Sequence, residues 1–553
     1  MSATATEVAA PPKMSHRAVI QALSGLLLGM LVAILSSTVV STSLPRIIGD
    51  LGGSQASYTW VVTATLLATT VSTPIWGKFA DLFNRKLLVQ LSLAIFVIGS
   101  ALAGLSQNSG ELIGFRVLQG LGAGGLTALA TVIIADIISP RERGRYMGLL
   151  GAVMAVGTVG GPLLGGVITD SIGWRWNFYV GVPLAAVAIV LLQKTLHLPT
   201  RRRDGVRIDV LGVALITGAV SLLLIWVTLG GHQFAWGSAT SIVMVIGAVL
   251  LAVLFVVVEL RVAEPILPLD LFRNRTFVLA VVASLAVGVA MFGTSVFLSQ
   301  YMQLARGKTP TMSGILTIPM IAGVLLASTI AGQLISRTGF WKRYVVTGSA
   351  VLVVGLLLMG TIRYDTGWVP LSVYMFLVGV GVGMVMQNLV LVVQNTLPQD
   401  RMGSGTAAVA FFRSLGGAIG VSVMGAVLSS RVGTLTAAGM AELGLPTSGG
   451  SGTIPDLATL PAPVRTVVES AYGEAVGDIF LLAVPLAIIT LVAVVFLPNA
   501  VLGTRSGVQQ QTGSDEAGAA PVLADQLVDE AEAATALVPA THAAQDRRRD
   551  ALD

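Results

Sequence analysis

Uncharged apolar stretches of about twenty residues recur from Arg17 to Pro498, and this pattern decides what the chain can fold into. At 1.5 Å of rise per residue, a helix of that length crosses the ~30 Å hydrocarbon core of a bilayer. A soluble helix of equal length needs a charged face toward water, and these stretches have almost none. Across the chain, 54% of residues are apolar and only 11% are charged. Fourteen such stretches can be counted, the first at 17–40 and the last at 477–497. The expected fold class is therefore an all-α polytopic membrane protein with 14 transmembrane helices.

The basic residues between the stretches sort to one side. With the N-terminus in the cytoplasm, the inner connections hold Lys78, Arg85, Lys86, Arg141, Arg143, Arg145, Arg201, Arg202, Arg203, Arg273, Arg275, Lys342 and Arg343, among others. The outer ones hold Arg46, Arg175, Arg306, Lys308, Arg363, Arg431 and Arg465. The positive-inside rule then places both termini in the cytoplasm. That placement accounts for the net charge of +5 without nucleic acid as a partner. The polar start leads into an apolar segment too long for a cleavable signal peptide. With no cysteine, disulfides, thiol nucleophiles and thiolate metal sites are excluded. His16, His197, His232 and His542 fall in loops or tails and make no metal set. No cofactor is expected, and without a Walker A motif a nucleotide-driven pump has no support.

A weak internal repeat divides the chain. GKFADLFNRK (77–86) follows the second stretch and GQLISRTGFWKR (332–343) follows the tenth; each is a glycine, a short polar turn and a basic pair. The expected organisation is a cytoplasmic tail at 1–16, a six-helix bundle at 17–196, two additional helices at 208–260 and a second six-helix bundle at 276–497. An outer loop with an amphipathic helix from Pro463 to Ala475 is expected at 431–476, and a disordered cytoplasmic tail at 503–553. Parallel halves of this kind place a substrate site at their interface, near the bilayer midplane.

Two stretches carry unusual residues. In GAVMAVGTVGGPLLGGVI (151–168), Gly157, Gly161 and Gly165 recur every fourth residue and make a smooth stripe for close helix packing, while Pro162 removes a backbone hydrogen bond. In ELIGFRVLQGLGAGG (111–125), Arg116 sits a turn inside the membrane, where a charge normally faces a bundle interior or a cavity. It can also serve structure alone by donating to backbone carbonyls. Gln119 lies one turn on, with Gly120 and Gly124 beside it.

Together these residues resemble the major facilitator superfamily, specifically its fourteen-helix drug:H+ antiporter branch. GKFADLFNRK resembles the superfamily's motif between helices two and three, RVLQG (116–120) its helix-four motif, and GTVGGPLLGG (157–166) its antiporter motif on helix five. WRWNFYVGVP (174–183) and ELRVAEPILPLDLFRNRTF (259–277) are similar to stretches typical of the branch. The likeness runs from about Ala33 to Leu497.

The resemblance implies two six-helix bundles with two inserted helices. It also implies a monomeric, proton-driven exporter of hydrophobic or weakly basic small molecules in the bacterial inner membrane, not an enzyme. An exporter or flippase of a lipid or cell-envelope precursor is the alternative. Gly77, Asp81, Arg85 and Lys86 would form an inner-face latch in which Asp81 caps the thirteenth helix near Gly403–Gly405, or pairs with Arg143 or Arg145. Arg116, Gln119 and Gly120 carry the helix-four motif; Gly157, Gly161, Pro162, Gly165 and Gly166 carry the antiporter motif. Members of the branch often have an aspartate where Ser36 stands, which leaves Asp136 and Glu111 as proton-coupling candidates.

The hydroxyls of SSTVVSTS (36–43) can back-bond to helix carbonyls or line a wet cavity. Ser36, Ser37, Thr38, Ser41 and Thr42 are read as partly lining the transport path, with plain helix packing as the other possibility. Gln387 and Gln394, seven residues apart on one helical face, join that path with Asn388 and Asn395 beside them. Phe411, Phe412, Arg413, Gln300, Tyr301, Gln303 and Trp60 complete it, since an apolar pocket with a few amides and aromatics suits greasy substrates of varied shape.

Overall fold

The computed structural model describes residues 16–52, 55–196, 209–230, 233–262, 264–308, 310–398, 401–445, 460–499 and 502. Among them the chain is almost entirely helical. The first set of helices is α1 (His16–Asp50), α2 (Gln55–Leu82), α3 (Arg85–Leu105), α4 (Ser109–Ile137), α5 (Pro140–Ser171) and α6 (Gly181–Thr195). An added pair follows, α7 (Val210–Leu229) and α8 (Ala239–Glu259). The second set is α9 (Arg275–Gln300), α10 (Ile318–Thr338), α11 (Lys342–Met359), α12 (Trp368–Thr396), α13 (Met402–Glu442) and α14 (Ala462–Phe496).

Asparagine and serine set many of the helix starts, because their side-chain oxygens accept backbone amides that the first turn leaves unpaired. Asn84 takes the amides of Lys86 and Leu87 at the head of α3. Asn108 does so for Glu111 in α4, Ser238 for Ser241 in α8, and Asn274 for Thr276 and Phe277 in α9. Gly339, at φ +75°, closes α10 in the left-handed conformation that favours glycine.

Among the described residues, 12 helices are long and apolar enough to cross a membrane. They do not include α2 and α5, which at 28 and 32 residues are long enough but richer in polar residues and glycine. The expected fourteen is reached only when these two are counted on length. The outer surface agrees with a lipid setting. Ile242, Val243, Ile246, Val249, Leu250, Val253 and Leu254 of α8 are all exposed, an apolar band that would be a liability in water.

Within the first set, α1 packs on α5 and α6, and α4 packs on both α2 and α3. Within the second, α9 packs on α13, and α12 packs on α10 and α11. The sets meet where α2 lies against α13 and α5 against α10, while α7 touches α2 and α13 from outside. Glycines permit the tightest contacts. A Cβ on Gly120 would stand 2.6 Å from the Thr65 carbonyl on α2, and one on Gly99 2.6 Å from the Gln119 amide.

One expectation needs adjustment. The segment 431–476 is helical at both ends: α13 runs on to Glu442, where a loop was expected, and the helix expected at 463–475 is the start of α14 at Ala462. Its glycines and serines are confined mostly to the middle, so length and side-chain pairing carry the helices past the apolar stretch. The tails at 1–16 and 503–553 lie outside the described residues, apart from His16.

Candidate functional site

The clearest site lies where the two sets touch at the Asp81 end. The last turn of α2 brings Asp81 beneath the first turn of α13. The Gly403 amide donates to Asp81 Oδ1 at 2.6 Å and the Ser404 amide donates to Oδ2 at 2.7 Å. Those amides are orphan donors at the positive end of a helix, so a carboxylate is the group they bind best. The backbones approach closely enough to require glycine. A Cβ on Gly77 would stand 2.9 Å from the Gly403 carbonyl and collide with Ala407, and one on Gly403 would collide with Gly77 and stand 2.5 Å from Asp81 Oδ1.

Asp81 is also the first member of a buried charge cluster. Arg85, at the start of α3, lies 3.7 Å from Asp81 and forms an ion pair with Asp136 at the end of α4. Its Nε donates to the Ala80 carbonyl at 2.8 Å. Asp81, Arg85 and Asp136 are all buried, so each charge depends on the others for compensation. Lys86 points elsewhere and donates to the Gln193 carbonyl at 2.8 Å. The alternative partners Arg143 and Arg145 have side chains outside the described residues.

A second polar chain sits in α4. Arg116 Nη1 donates to Gln119 Oε1 at 2.6 Å, Gln119 Nε2 donates to Ser100 Oγ at 2.8 Å, and Ser100 donates to the Phe96 carbonyl at 2.9 Å. Arg116 and Gln119 are buried, and the relay fixes the guanidinium through neutral partners with no acid among the described residues in an ion pair with it. Glu111 lies at the other end of α4 from Asp136. It is exposed and accepts from the Gln107 amide at 2.9 Å and from Asn108 Nδ2 at 2.8 Å, which makes it part of the α4 N-terminal cap.

The glycine stripe of α5 does face a helix. Cβ atoms on Gly157 and Gly165 would stand 2.8 Å from Ile34 and 2.7 Å from the Val39 carbonyl of α1, and one on Gly161 would collide with Thr38. The side-chain surroundings of Pro162 and Gly166 lie outside the described residues, as do those of Ser41 and Thr42. This seam absorbs much of the hydroxyl cluster that sequence reading placed on the path. Thr38 Oγ1 lies 3.0 Å from each of the Ile34, Leu35 and Gly157 carbonyls. Ser36 is buried against α6, where a Cβ on Gly181 would stand 2.8 Å from its hydroxyl. Ser37 is exposed. Ser36 and Thr38 thus serve helix packing, because the glycines opposite them bring backbone where a cavity would be.

The second-half candidates divide in the same way. Gln394 Nε2 donates to the Thr131 carbonyl of α4 and to Thr406 of α13, both at 3.2 Å, so it stitches α12 to the other set. Gln387 Nε2 reaches Met154 Sδ on α5 at 3.9 Å, and Asn388 bonds back to the Met384 carbonyl at 2.6 Å. Phe411 and Phe412 stack edge-on at 5.1 Å, and Phe412 meets Phe272 at 6.1 Å. Arg413, Gln300, Gln303 and Trp60 are half-buried. Tyr301 is buried and donates to the Arg363 carbonyl at 2.6 Å.

Sequence reading missed a buried polar knot. Asn177 Nδ2 donates to Ser43 at 2.7 Å and to Thr169 at 2.8 Å, and those hydroxyls lie 2.7 Å apart. The signal was available in WRWNFYVGVP, where one asparagine stands among aromatics, but its partners are more than a hundred residues away for Ser43.

Known proteins resemble this chain in sequence and in fold. A family model of the Major Facilitator Superfamily matches residues 26–421. An uncharacterized MFS-type transporter of Mycobacterium tuberculosis is 37% identical over 478 residues, covering 86% of this chain and 69% of that one. The multidrug transporter protein MdtP of Bacillus subtilis is 36% identical over 415 residues, 75% of this chain and 76% of that one. Among solved structures, the proton:xylose symporter XylE aligns with a TM-score of 0.60 over 90% of this chain and 100% of that one, and at 14% identity the likeness concerns fold alone.

Proposed function

The chain belongs to the major facilitator superfamily and is a multi-pass membrane transporter rather than an enzyme, and from that premise we propose that it exports hydrophobic small molecules by alternating access, driven by the proton gradient. The observation that carries this reading is the Asp81 latch, a charged contact that joins the two helix sets at one end and must break for that end to open. Similarity to a protein named a multidrug transporter supports small-molecule export. The proposed setting is the bacterial cytoplasmic membrane, with the latch and both termini on the cytoplasmic side, as the basic connections favour.

Asp136 is the acid we assign to proton coupling. Its partner Arg85 also lies beside Asp81, so opening the latch changes the charge that Asp136 faces. Neutral or weakly basic substrates fit better than dications, which call for a carboxylate at depth. One proton per substrate offers ~2.3 kcal/mol per 100 mV, enough for roughly a forty-fold gradient.

The test is transport by the purified full-length chain in proteoliposomes. An imposed proton gradient should drive accumulation of a lipophilic weakly basic dye, and a protonophore should abolish it. Accumulation that ignores the gradient removes the coupling, and movement of labelled phospholipid in place of dye makes the chain a lipid carrier.

A further inference from the structure

Beside the latch, the inner ends of the added pair bring together charged groups that the gate does not use. Asp209 caps α7, its Oδ1 accepting the Gly212 amide at 2.8 Å. Glu259 ends α8, its Oε1 accepting the Ile266 amide at 3.2 Å. The other oxygen of each, Asp209 Oδ2 and Glu259 Oε2, is buried with no hydrogen-bond partner among the described residues. The two residues are 8% and 4% exposed, so water does not make up the deficit. They are neighbours: a Cβ on Gly212 would collide with Asp209 Oδ2 and stand 3.2 Å from Glu259 Oε1.

Among the described residues, the charges around them do not cancel. From α2, Lys78 faces Glu259, and from the connection after α8, Glu264 takes Lys78 Nζ at 2.6 Å. Asp209, Lys78 and Glu264 line one small pocket with Ile75, Phe79 and Ile266. With the lysine engaged by Glu264, two ionised carboxylates would remain in a place with little water. Adjacent buried carboxyls answer that cost by sharing one proton, which also supplies the donor that the two orphan oxygens lack.

We propose that Asp209 and Glu259 form a proton-binding site, in which a single shared proton holds the inner ends of α7 and α8 together beside the latch. Loss of the proton leaves two carboxylates in repulsion and parts the ends. Lys78 lies on α2 three residues before Asp81, so the pocket and the latch share one helix turn. The site requires no substrate, and it stands or falls separately from proton-driven export.

The experiment uses the full-length chain in lipid nanodiscs, with wild type, Glu259→Gln and Asp209→Asn compared across pH. Hydrogen-exchange protection of peptides covering 209–214 and 259–267 is followed together with the infrared band of protonated carboxyl groups. In wild type, protection should fall as pH rises, by about tenfold per pH unit through the transition, the slope of one linked proton. The carboxylic-acid band should fade over the same range. Glu259→Gln, which mimics the protonated acid, should hold protection level and lack the band, while Asp81→Asn should keep both wild-type behaviours. Protection with the same pH dependence in wild type and in both pair variants overturns the proposal. So does a wild-type spectrum from which neither substitution removes a carboxylic-acid band.

Discussion

Asp81 and Gly403 are 322 residues apart in sequence, yet the Gly403 amide donates to the Asp81 carboxylate at 2.6 Å across the boundary between the helix sets. The contact depends equally on both residues. The carboxylate is needed for its charge and its two acceptors, and the glycine for its missing side chain.

Asp81→Asn keeps the shape of the side chain but leaves one acceptor oxygen for two amides, and it deprives Arg85 of a neighbouring charge. A hydrogen bond to a charged group is worth about 1.5–3 kcal/mol, so the closed end should open roughly tenfold to a hundredfold more often. Expression should hold while transport falls. Because the chain has no native cysteine, a single engineered pair across α2 and α13 reads this opening without background labelling. Transport at the wild-type rate with matched expression would remove Asp81 from the gate.

Gly77→Ala attacks the same contact through volume. The added methyl meets Ala407 and the Gly403 carbonyl, an overpacking that typically costs about 1–3 kcal/mol, and the cost falls on the closed state alone. Crosslinking between α2 and α13 should drop. Gly114→Ala, where an added Cβ meets nothing within 4 Å, should behave as wild type. Equal crosslinking in the two variants would show that close approach at Gly77 is dispensable.

Arg85 and Asp136 should behave as a couple. Asp136→Ala leaves a buried guanidinium short of its counter-charge and should destabilise by about 3–5 kcal/mol. The double variant Arg85→Ala with Asp136→Ala should be less damaged than the sum of the singles, by 0.5–3 kcal/mol in the manner of coupled neighbours. Strict additivity in thermal unfolding would mean that the pair is not coupled. Asp136→Asn should weaken proton-linked transport, and Glu111→Gln should leave it unchanged, since Glu111 is exposed in a helix cap.

Arg116→Lys should lose most transport although the charge is kept. The guanidinium reaches Gln119 at 2.6 Å from a fixed fork, whereas an ammonium is a point charge with different reach. Ser100→Ala, which removes the far end of the relay, should cost less than about 2 kcal/mol in stability. A fully active Arg116→Lys would show that shape plays no part here.

The helices were legible in the sequence because the bilayer demands long apolar stretches, and that demand is local. The Asp81 motif was legible for another reason, since a glycine, an acid and a basic pair at fixed spacing form a compact pattern. What the pattern could not supply was the choice among partners, because Gly403 and Arg143 are both distant in sequence. The hydroxyl run at 36–43 left path lining and plain packing both open, because serine and threonine suit a wet cavity and a dry glycine seam alike. Only the position of Gly157, Gly161 and Gly181 opposite them decides, and that is a fact of packing. Asp209 and Glu259 were invisible as a pair, since each reads alone as a charge at the end of a span.

The 41 residues of α13 run unbroken from the latch at Gly403 to Glu442. At 1.5 Å per residue this rod is roughly 60 Å long, well beyond the ~40–45 Å of a whole bilayer. Its far part is braced to α14 by Arg431 and Asp478 and by Gly439 against Val467. Such a rod is a lever: a small tilt at the latch becomes a larger sweep at the opposite tip. An antibody fragment seated on that tip would feel the gate from the far end of the rod, and by gripping it would resist the opening of the latch.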